Sequence, residues 1–135
     1  MRIGSTVLVL ALLALGSPAT AADMSSGKEL VDRCAAYVAK GEDTIRDPDP
    51  CKRFLIGFFT AYKASEDARR DAMVKGLPAT ATTSCVRLPD HTTWRQMAQR
   101  LVNYGNAHSG ELTGSPGDLL QHTIETDFPC PPRQR

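Results

Sequence analysis

Four cysteines, Cys34, Cys51, Cys85 and Cys130, constrain this chain more than any other feature. Their number is even, and no CxxC pair occurs among them, which argues against a thioredoxin-like motif or a zinc ribbon. The last stands in "FPCPP", where Pro129 and Pro131 forbid further helix. In an oxidising compartment such a set reads as two disulfides.

The N-terminus indicates that compartment. Arg2 precedes an apolar run, "VLVLALLALG", followed by "SPATAA" with small residues at Ala19, Ala21 and Ala22. This is the layout of a secretory signal peptide, expected over residues 1–22, with the mature domain over 23–135. The run is shorter than the roughly 20 residues that a spanning helix needs, so a cleaved signal is expected and no membrane span after processing. No cysteine lies near the cleavage point to take a lipid. The expected location is periplasmic.

Cleavage removes one of the 16 Lys and Arg and none of the 15 Asp and Glu, leaving 15 − 15 = 0 net charge. A neutral domain has no electrostatic footprint for nucleic acid or anionic lipid. It is also too small to bury a large core, so disulfides matter to its stability.

Periodicity points to helices throughout. "SSGKELVDRCAAYVA" sets Leu30, Val31, Cys34 and Val38 on one face, with Ser26 and Glu29 in a capping-box pattern. Gly41, Pro48 and Pro50 mark the turn that follows. A second helix starts near Cys51 with Phe54, Leu55, Ile56, Phe58, Phe59 and Tyr62, apolar almost all round, as expected at the centre of a bundle. Its second half is charged and is expected to project into water. After a Gly- and Pro-containing connector, Thr93 and Gln96 open a third helix carrying Trp94, Met97, Ala98, Leu101 and Val102. Residues 104–116, with their glycines, read as a long polar loop, and Ser115 with Pro116 starts a last helix ending near Phe128. No segment alternates as a strand. The expected fold is all-α, a small disulfide-stapled bundle of about four main helices.

Four cysteines allow three pairings. If successive helices run antiparallel, Cys34 meets Cys51 at one end of the bundle and Cys85 meets Cys130 at the opposite end. On the chain-entropy model these two links contribute about 3 and about 4 kcal/mol.

Catalytic patterns are absent. There is no G-x-S-x-G elbow, HExxH pair or phosphate-cradling loop, and "GKEL" lacks the rest of a P-loop. A cysteine nucleophile beside His91 or His122 would need a free thiolate, which two disulfides remove. Glu111 and Asp118 could pair as carboxylates, but Asp118 is explained by the helix start. His91, His108 and His122 lack metal-ligand spacing, so neither metal nor cofactor is expected. Trp94 fits core packing and Arg69–Arg70 a solvated helix face. The loop holds the candidate partner-binding residues, Tyr104, Asn106, His108 and Glu111, since loops this long are often functional.

The order of motifs resembles the Rap1a/Tai family of small exported helical proteins, named for immunity proteins against type VI secretion amidases. The resemblance rests on "ELVDRC", on Cys51-x-x-Phe54 leading into an apolar helix with Gly57, on "TTWRQMAQRLVNY" and on the closing "FPC", over about residues 27 to 131. The chain departs from the family's pattern in the wider spacing of Cys85 and Pro89, in Thr60 where an acidic residue is common, and in a longer 66–84 segment. The resemblance implies a toxin inhibitor and not an enzyme. Its partner would be a cell-wall amidase effector, its intruding element an interhelical loop, and a homodimer would be compatible with it. A second reading is a periplasmic acid-stress chaperone, with carboxylates or histidines unmasking apolar surface. A disulfide-exchange enzyme ranks third, for want of a CxxC.

Overall fold

A computed structural model describes residues 24–41, 49–76 and 90–129. Those residues form four α-helices and one short 3-10 helix: α1 (Gly27–Ala39), α2 (Pro50–Val74), α3 (Trp94–Ala107), the 3-10 turn Ser109–Glu111, and α4 (Pro116–Asp127). Among the described residues there is no strand, and no helix is long and apolar enough to cross a membrane. The expected signal peptide over residues 1–22 and the expected pair Cys85 and Cys130 lie outside the described residues.

The helix starts follow from local chemistry. Ser26 Oγ accepts from the Glu29 amide, while the Glu29 carboxylate reaches back to Ser25, a variant of the capping box. The Ser25 bonds and the nearby Arg33 hold the Glu29 carboxyl below its ordinary value. Thr93 and Gln96 make the full reciprocal box at α3, and Ser115 with Pro116 starts α4. At α2 the expected turn residue Pro50 is instead the first helical residue. Buried Asp49 caps it, accepting from the Cys51 amide at 2.9 Å and pairing with Lys40 Nζ at 3.0 Å.

The core is contributed mainly by α1, α3 and α4. Leu30, Cys34, Leu55, Ala98, Leu101, Leu120 and Ile124 are completely buried. The expectation that α2 lies at the centre does not hold: only Cys51 and Leu55 of α2 are buried, while Phe54, Phe58, Phe59 and Tyr62 are half-buried. The central position is shared by α1 and α3, each of which packs on the other three helices. Small residues allow this. A Cβ on Gly105 would lie 2.5 Å from Val31 Cγ2, so the backbones of α1 and α3 approach to a distance that no larger residue permits. The second half of α2 is exposed, ending in Met73 and Val74, as its charge pattern requires.

Cys34 and Cys51 are joined, with Cα atoms 4.9 Å apart. The topology differs from simple alternation. Arg95, at the start of α3, donates to the Tyr37 and Val38 carbonyls at the end of α1. Arg100 pairs with Asp127 at the end of α4 and lies over the Phe128 ring. The end of α1, the start of α3 and the end of α4 therefore share the Cys34–Cys51 end, so the start of α3 and the end of α4 do not lie at the opposite end as simple alternation expects.

Candidate functional site

The expected 104–116 loop is shorter than the glycine content suggested. Helix α3 continues to Ala107, so Tyr104 and Asn106 are helical, and the connection proper runs from His108 to Ser115. It is tightly tied. The Glu111 and Gly114 amides bond back to the His108 and Glu111 carbonyls at 2.9 and 3.0 Å. The first amides of α1 have no partners within their own helix. Gly27 donates to the Gly114 carbonyl at 2.9 Å and Lys28 to the Leu112 carbonyl at 2.8 Å, so the connection caps α1. Gly27 is needed there: a Cβ would meet Leu119 Cδ2 at 3.1 Å and the Glu111 carbonyl at 3.2 Å.

Side chains complete the tie. The Tyr104 hydroxyl donates to Glu111 Oε1 at 3.0 Å, and His122 Nδ1 of α4 lies 2.7 Å from Glu111 Oε2. The His108 ring stacks on Tyr104 with centroids 4.0 Å apart, and its Nδ1 is 2.9 Å from the Tyr104 carbonyl. The bond to His122, then that to Tyr104, holds the Glu111 carboxyl below its ordinary value. The Glu111 bond raises the His122 imidazole, with Glu125 and Asp118 adding attraction. Burial, and then Glu111, push the Tyr104 phenol up.

Three of the four sequence-nominated residues, Tyr104, His108 and Glu111, are thus brought together, and Asn106 sits apart on the exposed side of α3. His122 completes the group and was missed. No local pattern connects positions 111 and 122; their meeting depends on how the connection folds onto α4. Outward from this tied base stand Ser109, Gly110 and Thr113, all exposed, with open space around the Gly110 α-carbon.

Glu111 is bound to Tyr104 and His122, Asp118 is in the first turn of α4, and among the described residues no group of three His, Cys, Asp or Glu side chains could hold a metal. Trp94 is half-buried against Phe59, with ring centroids 6.1 Å apart. An open groove of about 510 Å³ runs beside Gln96, Gln99, Arg100 and Asn103. Its polar groups serve the fold: Gln96 caps α3, Gln99 bonds Asn103 at 2.9 Å, and Arg100 pairs with Asp127 at 3.3 Å.

Four helices, two of them joined by a disulfide and two bridged by a short, tied connection, define the class as small all-α proteins. Within that class the assignment is specific. The model of the Rap1a immunity proteins matches residues 26–130, and the chain belongs to that family. No curated protein and no solved structure matches it.

Proposed function

We propose that the protein is an exported immunity-type inhibitor that binds a peptidoglycan-amidase effector and occludes its cleft with the 108–115 connection. Residues 1–22 would direct export, and the periplasm would supply the oxidising conditions in which disulfides form. The family is named for immunity proteins, which inhibit without catalysing a reaction. The observation that carries the reading is the tied base beneath an exposed tip. A connection fixed by α1 amides and by Glu111 loses little conformational freedom on binding, which favours affinity.

The chaperone reading needs apolar surface unmasked by acid, with carboxylates or histidines as the trigger, and among the described residues no exposed apolar cluster lies beside the histidine that is tied into the fold. As a histidine trigger His122 has the wrong sign, since its charged form is the one that the Glu111 carboxylate favours.

The test is capture from periplasmic and secreted fractions on the oxidised protein. One stoichiometric cell-wall hydrolase, inactive in the complex, is the expected result. Replacing the whole tip would also remove Glu111 and with it the tie, so the informative variant is Gly110→Arg. Its backbone is not in the left-handed region and nothing lies within 4 Å of a Cβ there. It should abolish capture while leaving stability within about 0.5 kcal/mol, as exposed substitutions do. Undiminished capture by Gly110→Arg would remove the connection from the interface.

A further inference from the structure

The tie on the 108–115 connection joins three elements through one carboxylate. Glu111 lies in the 3-10 turn, Tyr104 on α3 and His122 on α4. Only His122 changes charge near neutral pH among these three. We propose that Glu111 and His122 form a charge clamp that fastens the connection to α4, tightest in mildly acidic surroundings and looser above neutrality. This deepens the reading of the connection as the partner-binding element: it makes the order of that element depend on the pH outside the cell membrane.

The surroundings reinforce the pair on each side. From α4, Asp118 and Glu125 face His122 and favour its charged form. From the end of α3, His108 lies near the Glu111 carboxylate and adds attraction when protonated. Tyr104, largely unionised at any relevant pH, donates to the carboxylate throughout. On α1, whose first turn the connection caps, the charged groups are engaged elsewhere: Lys28 with Asp32, and Glu29 with Ser25 and Arg33. The clamp therefore titrates chiefly through His122 and Glu111.

The direction follows from which form each group prefers in the fold. His122 is raised, so its contribution is complete below the ordinary histidine range and fades as pH rises through its raised value. Glu111 is lowered, so its contribution is complete above the ordinary carboxylate range and fades as pH falls through its lowered value. Between those limits both are charged. Above them neutral imidazole can still donate a hydrogen bond, so the clamp loosens and does not open outright. Both side chains are more than a third exposed, and water screens the pair. The expected effect on the opening equilibrium of the connection is accordingly modest, about two- to fivefold.

The test reads the connection without any partner, so its failure is separate from a failure to capture an effector. In the ¹⁵N-labelled oxidised protein, hydrogen-exchange protection factors of the Gly27 and Lys28 amides report whether the connection is seated, because those amides donate to Gly114 and Leu112. Corrected for intrinsic exchange, protection should fall about two- to fivefold as pH rises through the titration of the His122 ring, followed in the same samples. In His122→Gln and Glu111→Gln, which keep hydrogen-bonding capacity but no pair of charges, the profile should be flat over that range. Parallel profiles in wild type and both variants would overturn the clamp. So would a His122 ring titrating at or below the ordinary histidine value.

Discussion

Replacing Gly105 by alanine tests whether close approach of α1 and α3 organises this fold. Gly105 is a buried, helical residue, so on propensity alone alanine would stabilise α3 by about 0.5–1 kcal/mol. Packing opposes this. The new methyl would sit 2.5 Å from Val31 Cγ2 and 3.3 Å from Leu112 Cδ2. Val31 is 6% exposed and branched at Cβ, on a helix that strongly favours one rotamer, so it cannot turn aside cheaply. Overpacking of this kind costs about 1–3 kcal/mol, and the net expectation is a loss of about 1 kcal/mol or somewhat more. For a domain of this size that lowers the melting temperature by roughly 4–8 °C for each kcal/mol lost. Urea and thermal unfolding followed by circular dichroism give the number. The decisive comparison is a double-mutant cycle with Val31→Ala, which alone leaves a cavity but makes room for the methyl added at position 105. A coupling of about 1 kcal/mol in favour of the double variant is expected. Additive effects, or a Gly105→Ala protein as stable as wild type, would refute the close-approach argument.

Arg95→Ala should cost about 1.5–3 kcal/mol, since its half-buried guanidinium donates to the Tyr37 and Val38 carbonyls and lies over the Tyr37 ring; urea unfolding measures it. Joint replacement of Cys34 and Cys51 by serine should remove about 3 kcal/mol, matched by reduction of the native protein if this link dominates. With Cys34 and Cys51 joined, Cys130→Ser is expected to leave one titratable thiol, on Cys85, by alkylation and peptide mapping. A thiol on Cys34 or Cys51 would overturn the second pairing.

The parts of this fold that sequence reveals are those set by interactions a few residues apart. Ser26, Thr93 and Ser115 are caps because their oxygens reach amides within three residues, and the structure places all three helix starts where those residues stand. Asp49-Pro50 obeys the same rule, a cap followed by a proline whose missing N–H costs nothing at a first helical turn, and reading Pro50 as a turn residue overlooked it. The helix that takes the centre is a different kind of question. Hydrophobicity singles out α2, whose aromatic rings are large enough to be apolar on every side and still only half-buried. Centrality in fact falls to the α1–α3 pair, where Gly105 and Ala98 of α3 remove side-chain bulk and let neighbours close in.

The same glycine misled the reading of the site. Three glycines between positions 104 and 116 suggested a long loop, but Gly105 lies in a helix, and only Gly110 and Gly114 belong to the connection. A glycine permits either a turn or a close contact, and composition does not distinguish the two. What decides between them is the partner across the interface, here Val31, far earlier in the chain. His122 poses the same problem in polar form. Its role depends on a carboxylate eleven residues away, carried to it by the path of the connection and not by helical spacing. Both misses therefore have one cause: the site is assembled by the docking of α1 and α4 against a short segment, and a substitution that disturbs either dock should be felt at the tip without touching it.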